Sequence, residues 1–349
     1  MNEDGWIEVT PGWDSNLEVI DVGEQHYRRK RALITGINGQ DGSYLAEFLL
    51  EKGYEVWGTL KRNSITESQT SRISDINVKL EYADMLDMAS LIKILQKSQP
   101  DEIYNLAAQS DVRISFDQPI YTTQTIAIGT LNLLEAIKIV CPKTKTYQAS
   151  SSEMFGNNID DDGYQRETTP MSPVSPYGCA KVYAYNICRN YRNAYDMFIS
   201  NGILFNHESP RRGTNFVTNK VVKEEVKIKL DLSNELKLGN LESSRDWGHA
   251  KDYVEAMWLM LQQDSPDDFV CSTGVSHTVK DLVKHVFTKL DLDWTKYVGI
   301  DKRFYRQEEL QHLKGDCSKA KKLLGWKHKY TFESMLDEMI KYWTNKLNN

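Results

Sequence analysis

The chain has 349 residues, 40% of them hydrophobic and 26% charged, and a formal net charge of −6. That is an ordinary balance for a soluble globular protein with room for one large domain or two smaller ones. It argues against a nucleic-acid partner, which would call for a basic surface. No run approaches the ~18 to 20 consecutive apolar residues of a membrane helix, so no membrane partner is expected.

Residues 1–30 are polar and acidic. They lack the basic start and apolar stretch of a secretory leader, and read as an N-terminal extension on a cytoplasmic protein. Cys141, Cys179, Cys188, Cys271 and Cys317 form no CxxC pair and read as free buried thiols. The histidines show no HxxxH or HExxH grouping, and no metal site is expected.

In chain order, the first strand is predicted at 32–35 and is followed by a glycine-rich turn. Leu45, Phe48 and Leu49 then share one face of a helix over 43–52, which Gly53 stops. Strands are predicted at 54–58, 78–82, 102–106 and 144–149, and helices at 85–97, 121–140 and 176–195. The polar stretch 61–75 shows no element. This alternation predicts an α/β, Rossmann-like, doubly wound parallel sheet. Beyond about 203 the pattern loosens, with helices near 250–264, 279–289 and 331–347. The expected organisation is a dinucleotide-binding domain over 31–200, joined by parts of 245–275. A smaller mixed α/β substrate lobe over 201–349 would sit above the C-terminal edge of the sheet.

Gly36, Gly39 and Gly42 give G-x-x-G-x-x-G between the first strand and its helix. Glycines there let the backbone approach a pyrophosphate, which the helix N-terminus favours. Gln40 and Asp41 lie in the same turn. The second strand runs into Lys61-Arg62 rather than Asp or Glu. Two cations suit a 2′-phosphate, so the expected cofactor is NADP, with Arg62 on that phosphate. Asp84 is the candidate for the adenine ring. Leu106 and Ala108, after the fourth strand, allow close cofactor approach.

Tyr177 and Lys181 form Y-x-x-x-K, a spacing that stacks both side chains on one helix face. A tyrosine of pKa near ~10 is too weak a base at neutral pH, and neighbouring positive charge favours its phenolate. Ser151 and Glu153 follow the fifth strand, at the sheet edge where ligands bind. Ser151 can bond a reacting hydroxyl and Tyr177. Alcohol oxidation alone needs no carboxylate there; elimination needs a further base to take a carbon-bound proton, and Glu153 is placed for that.

The glycine spacing and the Tyr/Lys pair resemble the extended short-chain dehydrogenase/reductase superfamily. From about Arg31 onward, the strings 201–213 (NGILFNHESPRRG) and 245–254 (RDWGHAKDYV) narrow the resemblance to the GDP-mannose 4,6-dehydratase family. The resemblance implies Ser151, Glu153, Tyr177 and Lys181 as the catalytic set, although the first is commonly threonine in the family. It adds His207 and Arg212 on the cofactor side. Ser110, Ser152, Asn206, Lys220, Arg245, Arg306 and Glu309 are implied on the sugar-nucleotide side. Where relatives often have R-P-T-E-V-D, this chain reads Arg306-Gln307-Glu308-Glu309-Leu310-Gln311. The segment after Arg62 resembles one through which relatives build tetramers, so a homotetramer or homodimer is expected. The implied reaction converts GDP-mannose to GDP-4-keto-6-deoxy-D-mannose, as in GDP-fucose biosynthesis, with optional NADPH-dependent reduction to GDP-D-rhamnose. The alternatives are a sugar-nucleotide 4-epimerase, which Glu153 opposes, and a non-catalytic NADP sensor, which the intact Tyr177, Lys181 and Ser151 oppose.

Overall fold

The structure is a computed structural model, and it describes residues 28–63, 70–305, 308 and 310–348. Most of the N-terminal extension lies outside the described residues, as do 64–69 of the expected oligomer segment, Arg306 and Glu309.

The first half of the chain alternates as follows: β1 (Arg31–Thr35), α1 (Gln40–Glu51), β2 (Glu55–Leu60), β3 (Lys79–Tyr82), α2 (Met88–Ser98), β4 (Glu102–Asn105), α3 (Val112–Asp117), α4 (Pro119–Thr123), α5 (Gly129–Val140), β5 (Lys145–Ser151), α6 (Pro176–Tyr195) and β6 (Ile199–Leu204). The second half continues with β7 (Asn206–Glu208), α7 (Val217–Lys229), β8 (Leu236–Leu238), β9 (Ser244–His249), α8 (Ala250–Leu261), β10 (Asp268–Cys271), β11 (Ser276–Thr278), α9 (Val279–Lys289), β12 (Val298–Ile300), α10 (Ser318–Leu324) and α11 (Phe332–Asn348).

Seven strands make one sheet in the order β10-β6-β5-β4-β1-β2-β3. Every pairing in it is parallel. Both faces are covered, which explains the apolar runs of the strands. In β1, Ala32 and Ile34 face a core shared with α1, α8 and Trp326. Leu33 faces the opposite core, shared with α2, α5 and α6. The strand order reverses between β1 and β4, so the crevice opens at their C-terminal ends. Thr35 joins those ends: its hydroxyl donates to Asn105 Oδ1 (2.7 Å) and accepts from the Leu106 and Ala107 amides. Asn105 Nδ2 passes the link on to Gln148 Oε1 at 2.7 Å.

A further core packs α7, α9 and α11 around Trp247 of β9, together with Leu236 and Leu238 of β8. The short sheet β11-β9-β7 sits beside it.

The structure differs from the sequence expectation at one predicted helix and adds α3 and α7, which the pattern did not show. The helix expected over 121–140 is α4, a π-helical turn over Gln124–Ile128, and then α5. Pro119 opens α4 at its first turn, where its missing N–H costs nothing. β6 spans residue 200, and it pairs with β10, which lies within the 245–275 stretch expected to join the first domain.

Candidate functional site

A cleft of about 840 Å³ lies between the sheet edge and the second lobe. The turn after β1 forms one wall. Gly36 has φ +69°, and a Cβ on it would meet Ala107 Cα at 3.0 Å. A Cβ on Gly42 would come within 2.5 Å of the Gly36 carbonyl oxygen. Only glycine lets the turn and α1 close on each other here. No side chain caps α1: Gly39 stands at its N-cap. The first-turn amides therefore remain available to an anion, which fits a dinucleotide pyrophosphate.

The opposite wall comes from β5 and α6. Ser175 caps α6 by accepting from the Gly178 amide (3.0 Å), and Pro176 follows in the first turn. That start places Tyr177 in the first turn and Lys181 one turn later on the same face. At the end of β5, the Ser151 hydroxyl accepts from the Glu153 amide (3.2 Å), holding the chain in a short turn with Glu153 beside the serine. Ser151, Ser152, Glu153, Tyr177 and Lys181 are all buried and all line the cleft.

Burial pushes the Tyr177 phenol up to about 12; the Ser151 hydrogen bond and Arg212 pull it down, while Glu153 and Asp41 add to the rise. Burial also pulls Lys181 down to about 8, with Asp41 opposing. Lys181 Nζ donates to the Ala149 carbonyl oxygen (2.7 Å) and lies 5.7 Å from the Tyr177 ring centre. The expected low tyrosine pKa is thus not produced by these side chains together, because desolvation outweighs the nearby positive charge.

The cleft is also lined by Gly36, Gly39, Gln40, Asp41, Gly42, Leu106, Ala108, Ser110, Asn206, His207, Arg212, Lys220 and Arg245. Arg212 lies 3.2 Å from Glu208 and packs on Phe216 at 3.6 Å. Lys220 donates to the Lys237 carbonyl (2.7 Å) and sits 3.5 Å over Phe304. Arg245 donates to the Ser244 and Leu310 carbonyls. Arg62 and Asp84 do not line the cleft. Arg62 lies over the Tyr82 ring (5.6 Å), and Asp84 pairs with Lys61 at 3.2 Å.

Three neighbours escaped the sequence reading. Arg72, from the stretch without an element, donates to the Asn38 carbonyl in the glycine turn (3.1 Å). Phe304 lines the cleft, and Tyr253 stacks on His207. Local spacing signals none of these contacts; only the pairing of bulky Tyr253 with Gly248 in one motif hinted at close packing.

A family model described as GDP-mannose 4,6 dehydratase matches residues 33–339. The chain belongs to the GDP-mannose 4,6-dehydratase family. Among relatives, Arabidopsis thaliana GDP-mannose 4,6 dehydratase 1 is 51% identical, covering 89% of each chain. Homo sapiens GDP-mannose 4,6 dehydratase is 48% identical, covering 91% of this chain and 92% of that one. The structure of UDP-glucose 4-epimerase with UDP-glucose from Thermotoga maritima superposes with a TM-score of 0.81 at 25% identity, covering 91% and 99%. dTDP-glucose 4,6-dehydratase from Bacillus anthracis, in complex with NAD, gives 0.79 at 23% identity over 91% and 98%, a likeness of fold. No described helix of this GDP-mannose 4,6-dehydratase family member is long and apolar enough to cross a membrane, and no described cluster of His, Cys, Asp and Glu has the makings of a metal site.

Proposed function

We propose that the protein is an NADP-dependent GDP-mannose 4,6-dehydratase that forms GDP-4-keto-6-deoxy-D-mannose. The observation that carries this reading is the meeting of Ser151, Glu153, Tyr177 and Lys181 in one buried wall opposite the glycine turn. Family membership supplies the substrate class. A Tyr/Lys pair alone serves alcohol oxidation; a buried carboxylate two residues from the serine adds a base for elimination.

When bound, the nicotinamide dinucleotide supplies the hydride acceptor for C4, returns that hydride to C6, and through its cationic ring favours the Tyr177 phenolate. Tyr177 takes the proton from the sugar O4, with Ser151 bonded to the same region. Lys181, held by the Ala149 carbonyl, contributes positive charge beneath the phenol. Oxidation at C4 makes the C5 hydrogen acidic. Glu153 takes it, and the C6 hydroxyl leaves as water with a proton from Glu153. C5 regains a proton when hydride reaches C6, so the sum is loss of one water. Gly36, Gly39, Gln40, Asp41, Gly42, Leu106, Ala108, His207 and Arg212 form the cofactor side. Arg62 and Asp84 belong to its adenosine end, with Lys61 and Arg62 as the cations for a 2′-phosphate. Ser110, Ser152, Asn206, Lys220 and Arg245 form the sugar-nucleotide side, where a diphosphate suits guanidinium contacts. Exposed Ile139 of α5, with Tyr183 and Tyr195 of neighbouring α6, suits a homodimer or homotetramer contact, which light scattering would test.

The deciding experiment is incubation with GDP-mannose in heavy water. A dehydratase releases one water and leaves solvent deuterium at C5, while C6 carries the hydrogen that began on C4. A product of unchanged mass would point to the 4-epimerase. Glu153→Gln should stop water loss and leave reduced cofactor bound, visible by its absorbance; wild-type water release by this variant would refute Glu153 as the base. Added NADPH tests whether the 4-keto product is reduced further to GDP-D-rhamnose.

A further inference from the structure

The His207 ring offers two nitrogens to two oxygens. Nδ1 lies 2.7 Å from the Phe205 carbonyl oxygen, and Nε2 lies 2.8 Å from Asp41 Oδ2. A carbonyl only accepts, so Nδ1 carries a proton. An ionised carboxylate also only accepts, so Nε2 carries one as well. A neutral imidazole has a single N–H, and either tautomer would turn a lone pair toward an oxygen. The geometry is satisfied by an imidazolium facing a carboxylate. The surroundings agree. Burial pulls His207 down, but the charge and hydrogen bond of Asp41 outweigh it and the net is upward, with Arg212 opposing. Burial pushes Asp41 up, yet His207, Gln40 and Arg212 bring it below its usual value.

The ring is braced on several sides. Tyr253 of α8 stacks on it with centroids 4.6 Å apart and an interplanar angle of 21°. Gly248 makes room, since a Cβ there would lie 2.5 Å from Tyr253 Cε2. Gln40 spans the pair, donating to Asp41 Oδ1 (3.0 Å) and to the His207 carbonyl (3.1 Å), and Ser209 holds Gln40 Oε1 at 2.8 Å.

Asp41 stands in the first turn of α1. A carboxylate there suits the helix dipole but repels a phosphate arriving at the same amides. An imidazolium beside it cancels that repulsion, and with both nitrogens engaged the ring is no proton shuttle. We propose that Asp41 and His207 form an ion pair, braced by Tyr253, that sets the charge of the cofactor turn, so that dinucleotide affinity falls as rising pH removes the His207 proton. This rests on the dinucleotide reading above. The groups facing the pair are Arg212, itself paired with Glu208, and Tyr177 and Lys181 of α6. Tyr253 of α8, with Asp246 of β9 acting on its phenol, and Tyr147 of β5 complete the set.

The sign follows from linkage. A bound anion raises the His207 pKa further, so affinity is full below the free-protein value and falls between the free and bound values. Each unit of added rise removes about tenfold in affinity.

Isotope-labelled histidine NMR of the full, nucleotide-free chain reads the proton directly, and calorimetry reads NADP affinity over the same pH range. The resonance missing in His207→Gln should titrate above the ordinary ~6.5. It should drop in Asp41→Asn and hold in Tyr253→Phe, which keeps the stacked ring. NADP affinity should fall about tenfold or more through that titration, and the step should vanish in His207→Gln. A His207 that titrates at or below the ordinary value overturns the ion pair. A pH step that survives in His207→Gln overturns its role in binding. Should neither NADP nor NAD bind at any pH while His207 titrates high, the dinucleotide reading itself fails, and the affinity claim with it.

Discussion

Lys181→Met is the most informative change to the Tyr/Lys wall, because it should make the protein more stable and inactive at once. The Lys181 side chain is 5% exposed, and burial draws its pKa from the ordinary 10.5 to about 8. Holding the ammonium charged at neutral pH therefore costs about 3 kcal/mol, at ~1.36 kcal/mol per unit. Methionine fills similar space without charge. It forfeits the bond to the Ala149 carbonyl, worth about 1 to 2 kcal/mol. The variant should gain about 1 to 2 kcal/mol near neutral pH. The pH dependence has a definite sign. Between about 8 and 10.5 the unfolded chain keeps a proton that the folded chain has lost, so wild-type stability rises with pH across that window. The advantage of the variant should shrink there and reverse toward the upper end, where only the lost bond to the Ala149 carbonyl remains. Urea unfolding of the nucleotide-free proteins at neutral pH and at about pH 10 measures both points. A variant less stable than wild type at neutral pH, or a difference independent of pH, would refute the view that Lys181 is a charged group held at a cost.

Tyr177→Phe should bind NADP and GDP-mannose nearly as wild type but lose turnover by orders of magnitude, because the lost interaction is made chiefly in the transition state; steady-state kinetics beside calorimetry separate the two. Arg62→Ala should weaken NADP by about 1.5 to 3 kcal/mol and leave NAD nearly unchanged. Equal weakening of both would assign Arg62 to the fold or to an interface. Gly42→Ala drives a Cβ against the Gly36 carbonyl and should abolish dinucleotide binding, read by fluorescence titration, with circular dichroism confirming that the chain is folded.

The strand–helix alternation was legible because each central strand is buried on both faces and the first helix ends in a recognisable stop at Gly53. The glycine turn and the Tyr177/Lys181 spacing were legible for the same reason: their geometry is local to one turn or one helix face. The failures are long-range. The apolar character of 121–140 hides the break at 124–128. The helix α7 went unforeseen because lysines and glutamates interrupt its stripe, although Val221, Val222 and Val226 are buried against α9 and α11. Arg72 on Asn38 and Tyr253 on His207 join residues far apart in the chain. Arg62 and Asp84 follow β2 and β3 and lie outside the residues that line the cleft.

The late arrival of β10 has a consequence for synthesis. By the time Leu204 has left the ribosome, six strands can pair, yet β6 then forms a bare parallel edge of the sheet until residues 268–271 follow. An unpaired apolar edge is a template for pairing with another chain. For the span of some sixty residues the nascent protein carries that template, and truncation anywhere inside the span would leave it permanently exposed. Fragments ending between β6 and β10 are therefore expected to aggregate, and the first lobe is not isolated by cutting where its strand–helix alternation stops.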